Sequence, residues 1–166
     1  MDDDLIPVVD EEDNVLEYKR RGDIKKEDIY RVSALWIENS KGQVLLAQRA
    51  FSKKNDPGKW GPAVAGTVEK AETYESNIQK ETEEELGITD IKLTMPFKKI
   101  RHTGEHNFFV QYFLAIIDKE INEFNFDKRE VNEIKWFDKK KLKEKIRQYP
   151  DVFLKSLTVR INLFLK

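Results

Sequence analysis

The chain has 166 residues, of which 37% are charged and 39% hydrophobic, a balance that allows one core and excludes wholesale disorder. Lysine plus arginine number 30 and aspartate plus glutamate 31; the basic excess of a general nucleic-acid or membrane-surface binder is missing. Cysteine is absent, which excludes disulfides, thiolate metal sites and a cysteine nucleophile.

The start, Met1-Asp2-Asp3-Asp4, is acidic and leads into a short apolar run, so it lacks the basic flank and length of a secretory signal. No apolar run reaches the ~20 residues of a membrane span, and the expectation is a soluble, cytoplasmic protein. Residues 6–9 read as a strand, which the turn Asp10-Glu11-Glu12-Asp13-Asn14 returns as a second strand over 15–18. This hairpin begins an N-terminal extension over 1–28. Residues 30–37 form the next strand, and the turn Asn39-Ser40-Lys41-Gly42 brings 43–48 back as its hairpin partner. A polar loop, 51–59, precedes a strand over 60–68. Its small residues Gly61, Ala63, Ala65 and Gly66 imply that another group approaches closely.

Thr73 caps a helix that runs to Leu86 and stops at Gly87. Residues 91–102 and 106–117 are long strands, and 131–137 is a further one. Asp138 starts a basic helix to Arg147, and 152–165 carries apolar residues at helical spacing, so 139–166 is a helical C-terminal region. No repeat or linker interrupts the chain, so 1–166 reads as a single α/β (α+β) domain with a mixed sheet flanked by helices.

The chemistry sits in residues 66–88. Residues three and four apart share a helix face, so Glu81, Glu84 and Glu85 project together, while Tyr74, Ile78 and Thr82 can face the core. The three carboxylates crowd the negative end of the helix dipole, where each costs roughly 0.3–1 kcal/mol. A bound cation offsets that cost, and all-oxygen ligands without His or Cys suit Mg²⁺ or Mn²⁺ rather than zinc.

Gly66, Glu72, Glu81, Glu84, Glu85, Gly87 and Ile88 stand at the spacing of the Nudix box, G-x5-E-x7-R-E-U-x-E-E-x-G-U with U apolar, which this segment resembles. Lys80 replaces its arginine and Thr82 its aliphatic residue; lysine keeps the charge but loses the planar fork. The flanking runs, including Pro57-Gly58-Lys59-Trp60 and Glu133-Ile134-Lys135-Trp136, are similar to the isopentenyl-diphosphate isomerase-like branch of that superfamily. The resemblance implies an α/β/α sandwich and a Mg²⁺- or Mn²⁺-dependent hydrolase that cleaves a nucleoside diphosphate-X linkage in a small molecule by water attack at phosphorus. It implies metal ligation by Glu81, Glu85 and the Gly66 carbonyl, with Glu84 either a ligand or a partner behind the ligands, and it puts Glu84 with Glu81 among the catalytic candidates. Either Glu81 acts as general base, or a glutamate from the later loop does; there Glu133 is the catalytic candidate and Glu130 reads as a surface charge. Arg49, Trp60 and Lys80 are the substrate-binding candidates; for Arg49 a salt bridge, and for Trp60 a core position, is the competing reading. His102 and His106 are expected at the surface, and the lysines of 139–147 on a solvated helix face.

Two other functions fit the same resemblance. An isomerase of that branch uses a cysteine, which this chain lacks: the corresponding region reads Gly61-Pro62-Ala63-Val64-Ala65. A nucleotide-diphosphate sensor without catalysis is the other alternative. No nucleic-acid or membrane partner is expected, and the N-terminal strands offer a surface for a homodimer.

Overall fold

The computed structural model describes residues 4–165; of the acidic start, Met1, Asp2 and Asp3 lie outside them. In chain order the elements are β1 (Leu5–Val9), β2 (Val15–Arg20), β3 (Ile29–Glu38), β4 (Gln43–Arg49), β5 (Trp60–Pro62), β6 (Val64–Thr67), α1 (Tyr74–Leu86), β7 (Thr94–His102), β8 (Asn107–Ile116), β9 (Val131–Asp138), α2 (Lys139–Gln148) and α3 (Lys155–Phe164). The strands form one mixed sheet, and helices cover both of its faces, an α/β/α sandwich.

β3 is the axis of this sheet. One edge pairs in parallel with β8 along its whole length, from Ile29↔Asn107 to Glu38↔Ile116. The other edge is shared: Val9 of β1 meets Ile29, β6 pairs with Val32 to Leu35, and β4 takes only Ile37 and Glu38. The expected hairpin of β3 with β4 is therefore closed for two residue pairs and then splays. β5 fills the gap on the β4 side, at Leu46 to Gln48, and β6 fills it on the β3 side. The single strand expected over 60–68 is accordingly broken at Ala63, where the chain crosses from one diverging strand to the other. Backbone donors and acceptors on both splayed edges need partners, and one straight strand cannot serve two edges that separate.

The two faces have separate cores. Leu35, Ile37, Leu45, Val64, Phe113 and Ile134 pack under Ile78 and Leu86 of α1. Trp36, Val44, Leu46, Tyr112 and Phe137 pack under Leu142 and Ile146 of α2 and Leu157 and Ile161 of α3. The close approach expected near Gly61 is made by a side chain: a Cβ there would lie 2.5 Å from Leu154 Cδ1. At the far end of the sheet, Asp13 adopts a positive φ of 68°. Its carboxylate accepts from Arg31 Nε at 2.7 Å, Lys99 Nζ at 2.9 Å and Tyr74 Oη at 3.0 Å, which ties the N-terminal hairpin to the start of α1. No helix among the described residues is long and apolar enough to cross a membrane.

α1 has the ends its sequence predicts. The Thr73 side chain accepts from Ser76 N and Ser76 answers at Thr73 N, while Gly87 takes the left-handed conformation at φ 67°. Replacing Thr73 with Ala removes one of these bonds at an exposed position and should lower stability by about 1 kcal/mol, measured by urea denaturation.

Candidate active site

α1 lays its inner stripe, Asn77, Ile78, Thr82 and Leu86, against the sheet, all four buried. Thr82 satisfies its hydroxyl within the helix by donating to the Ile78 carbonyl at 2.6 Å, so the departure from an aliphatic residue leaves no orphan group. Glu81 and Glu85 flank this stripe, half-buried beside β6, and Glu84 is exposed on the outer side. No basic residue occupies the last turn of the helix.

Gly66 makes the approach possible. A Cβ at this position would sit 2.4 Å from Glu81 Cγ and 2.7 Å from its Oε1. The glycine thus gives up a side chain so that the Glu81 carboxylate can lie against the β6 backbone. The Ala65 backbone amide hydrogen-bonds the neighbouring Glu85.

Lys80 does not bind Glu81. Its ammonium pairs with Glu72 at 2.7 Å and with Glu69 at 3.3 Å, and Arg21 reaches the other Glu69 oxygen at 3.3 Å. The residue expected to contact substrate is instead committed to the loop before α1. Asn77, which the sequence reading passed over, stands between the two groups of acids. It has no exposed surface, and its Nδ2 lies 2.9 Å from Glu72 Oε2, 3.2 Å from the Thr67 carbonyl and 3.5 Å from Glu81 Oε1.

The later-loop acid beside the cluster is Glu130. Its charge acts on Glu85, and it is ion-paired with Lys53, whose charge also reaches Glu85. Glu133 lies elsewhere. It pairs across β4 with Gln48, on the opposite side of β9 from Ile134, and lines a cavity of about 450 Å³ on the α2 side of the sheet with Trp60, Lys135, Lys145 and Phe153. Trp60 is half-buried against Phe137, edge to face at 5.2 Å, and lines that cavity. Arg49 donates from Nε to the Asn55 carbonyl at 3.0 Å and closes the base of the 50–59 loop through its backbone; it is not among the residues lining the cavity. His106 is exposed, whereas His102 is half-buried and stacks on Phe108.

A NUDIX domain family model matches residues 29–157. The chain belongs to the Nudix hydrolase family. It is 30% identical over 138 residues to an uncharacterized Nudix hydrolase of Pseudomonas aeruginosa, covering 78% of this chain and 82% of that protein. It is 29% identical over 157 residues to a Photorhabdus laumondii subsp. laumondii protein named isopentenyl-diphosphate Delta-isomerase 2, covering 91% and 86% respectively. A crystal structure of a Deinococcus radiodurans protein matches with a TM-score of 0.83 at 21% identity, over 98% of this chain and 99% of the other. A C. elegans Ap4A hydrolase matches at 0.59 and 22% identity, over 81% and 96%. At such identities the structural matches speak for the fold.

The electrostatics of this Nudix hydrolase are those of a site short of positive charge. Burial pushes the Glu81 carboxyl up to about 7; Lys80 opposes the shift, and Glu84, Glu72 and Glu69 add to it. Burial likewise pushes Glu85 up to about 8, with further repulsion from Glu81 and Glu130. Glu72 goes the other way. Burial would raise it, but bonds from Lys80, the Glu69 amide and Asn77 outweigh that and hold it below the ordinary carboxylate range. Among the described residues no lysine or arginine is within ion-pair distance of Glu81, Glu84 or Glu85.

A divalent ion fits these residues. The donors are all oxygens, and Gly66 leaves the strand bare where the Glu81 carboxylate meets it. The described acids do not form a closed cage, since no three of them already converge on one point. Glu81 and Glu85 lie half-buried beside β6, and Glu84 is exposed on the outer side. Such a partial set suits Mg²⁺, which keeps several waters and takes further ligands from substrate phosphates.

Two consequences can be measured. Gly66→Ala forces Glu81 aside and should destabilise the protein by ~1–3 kcal/mol in urea denaturation, with weakened Mn²⁺ binding in calorimetry. The stability that metal-free protein draws from Glu81 and Glu85 is complete below their ordinary value of 4.5 and is lost as pH rises through about 7 and 8. Metal-free melting temperature should fall between pH ~5 and pH ~8.5 on this account, Mn²⁺ should restore it chiefly at the alkaline end, and Glu85→Gln should flatten the dependence.

Proposed function

We propose that the protein hydrolyses a diphosphate linkage in a small molecule of the nucleoside diphosphate-X kind, with Mg²⁺ or Mn²⁺. The observation that carries this reading is the pair of half-buried glutamates, Glu81 and Glu85, held against a strand that glycine leaves bare at Gly66. Glu81, Glu85 and the Gly66 carbonyl are the ligands assigned to the ion, with Glu84 reaching it from the outer side. When bound, the ion neutralises diphosphate charge and favours in-line attack by water at phosphorus.

The residues of the chain supply the rest. Lys80, locked to Glu72 and Glu69, keeps the loop before α1 in place and lowers the local negative charge. Glu130 is the better-placed later-loop base. It is ion-paired with Lys53, and its charge acts on Glu85. Glu133 belongs to the cavity on the other side of the sheet. The 50–59 loop takes part in both regions, with Lys53 beside Glu130 and with Phe51, Pro57, Gly58 and Lys59 in the cavity lining. The cavity is the place for the part of the substrate beyond the diphosphate, with Trp60 and Phe51 as apolar walls and Lys59, Lys135 and Lys145 as cations. β2, which pairs only with β1 among the described strands and exposes Leu16 and Tyr18, is the edge on which a homodimer would form.

An isomerase reading has in its favour the names of relatives, the Photorhabdus protein among them. The absence of cysteine weighs against the acid–thiol chemistry of such enzymes. The test is a panel of nucleotide sugars, dinucleotides and nucleoside triphosphates with Mg²⁺ or Mn²⁺ in heavy-oxygen water, with isopentenyl diphosphate alongside. Label in a phosphate product is expected. Glu85→Gln should reduce turnover to background, Glu130→Gln should lower kcat with Mn²⁺ binding retained, and Glu133→Gln should act mainly on KM. Rearrangement of isopentenyl diphosphate without phosphate release, or saturable nucleotide binding without turnover, would overturn the hydrolase reading in favour of an isomerase or a sensor.

A further inference from the structure

Three polar residues between α1 and the sheet have no exposed surface: Ser33, Asn77 and Thr82. Thr82 is satisfied inside its helix. Ser33, on β3, and Asn77, on α1, satisfy each other across the layer, the serine hydroxyl donating to Asn77 Oδ1. The orientation of the amide follows from its surroundings. The Thr67 carbonyl and the Glu72 carboxylate can only accept, so Nδ2 must face them, and Oδ1 is left for a donor. Packing alone gives no reason for such a pair, because replacing both partners with apolar groups of similar shape is nearly neutral or stabilising.

What the pair does can be read from where the amide nitrogen points. It lies 2.9 Å from Glu72, which Lys80 anchors, and 3.5 Å from the Oε1 of Glu81. It also holds the Thr67 carbonyl, one residue beyond Gly66 on the strand that Glu81 lies against. Lys80 touches Glu72 and Glu69, so the direct donor to Glu81 is the amide. We propose that Ser33 and Asn77 form a positioning pair that sets the Glu81 carboxylate and the β6 backbone in register for a divalent cation. Ser33 fixes the back of the amide, Thr67 fixes its side, and the remaining N–H is presented to the acids. The inference rests on the metal reading of the site given above.

The experiment uses the full chain, with Mn²⁺ as probe in titration calorimetry and melting followed by circular dichroism. The double variant Ser33→Ala/Asn77→Ala removes both halves of the pair, and so leaves no orphan hydroxyl in the core. It should melt close to the parent protein and bind Mn²⁺ about 10–100-fold more weakly, as loss of groups that orient metal ligands does. In turnover assays the loss should appear in kcat at subsaturating metal, with KM for the diphosphate little changed. Adding Lys80→Arg should recover part of the affinity, because a guanidinium fork can bridge Glu72 and Glu81 together. If the double variant binds Mn²⁺ as the parent does while Glu85→Gln does not, the pair has no positioning role and the metal site stands. If Lys80→Arg restores nothing, the loss is one of packing and the proposal is overturned. No Mn²⁺ binding by the parent protein would sink both the metal site and the pair.

Discussion

Where β6 passes α1, strand and helix come so close that a hydrogen atom is all that fits at Gly66. That contact sets the character of the site. It brings the Glu81 carboxylate out of water and against a backbone segment, and it places Glu85 one turn further along beside Ala65. Among the described residues neither acid has a cation in contact, and burial raises both carboxyls. Folding therefore stores an electrostatic debt at this one junction, while the neighbouring Glu72 and Glu69 are neutralised by Lys80 and Arg21. Acids a few residues apart are treated in opposite ways, Glu81 and Glu85 raised by burial and Glu72 lowered by its bonds.

The splayed β3–β4 hairpin is what makes the junction available. If β4 paired with β3 along its length, β6 would have no edge to join, and Gly66 would not face the helix. The separation also carries β5 to the other side of the gap, so that Trp60 leads into the α2 side while Gly66 serves the α1 side. A short segment of small residues thus links a charged centre to a cavity with aromatic walls.

Much of this was legible in the sequence. The helix ends at Thr73 and Gly87 are local chemistry, and the structure places them where capping rules put them. The spacing from Gly66 to Ile88 identified the acids without any knowledge of their partners. The break at Ala63 was hidden, because 60–68 looks like a continuous strand and the splay is decided by tertiary pairing. Which of Glu130 and Glu133 lies beside Glu85 was hidden for another reason. The β4–β9 register shifts between Gln48 and Arg49, so the two-residue alternation that would assign a face fails at that point. Asn77 left a signal that went unused: it stands four residues before Glu81 and eight before Glu85, on one stripe of the helix. An uncharged polar residue on such a stripe reads as ordinary solvated surface until the sheet is seen to cover it.

The 50–59 loop is stapled at its base, with Arg49 N bonded to the Lys59 carbonyl at 2.9 Å and Gly58 N bonded to the Arg49 carbonyl at 3.1 Å. Between those staples the loop's first residues are tied to the start of β9, by Ala50 N on the Glu130 carbonyl at 3.0 Å and by the Lys53–Glu130 ion pair. If the cavity receives substrate as proposed, changes of length beyond Lys53 would alter which molecules fit while leaving the strands in place, since lengthening a surface excursion costs little entropy. The proposed selectivity and the proposed chemistry would then be carried by separate segments, free to change independently.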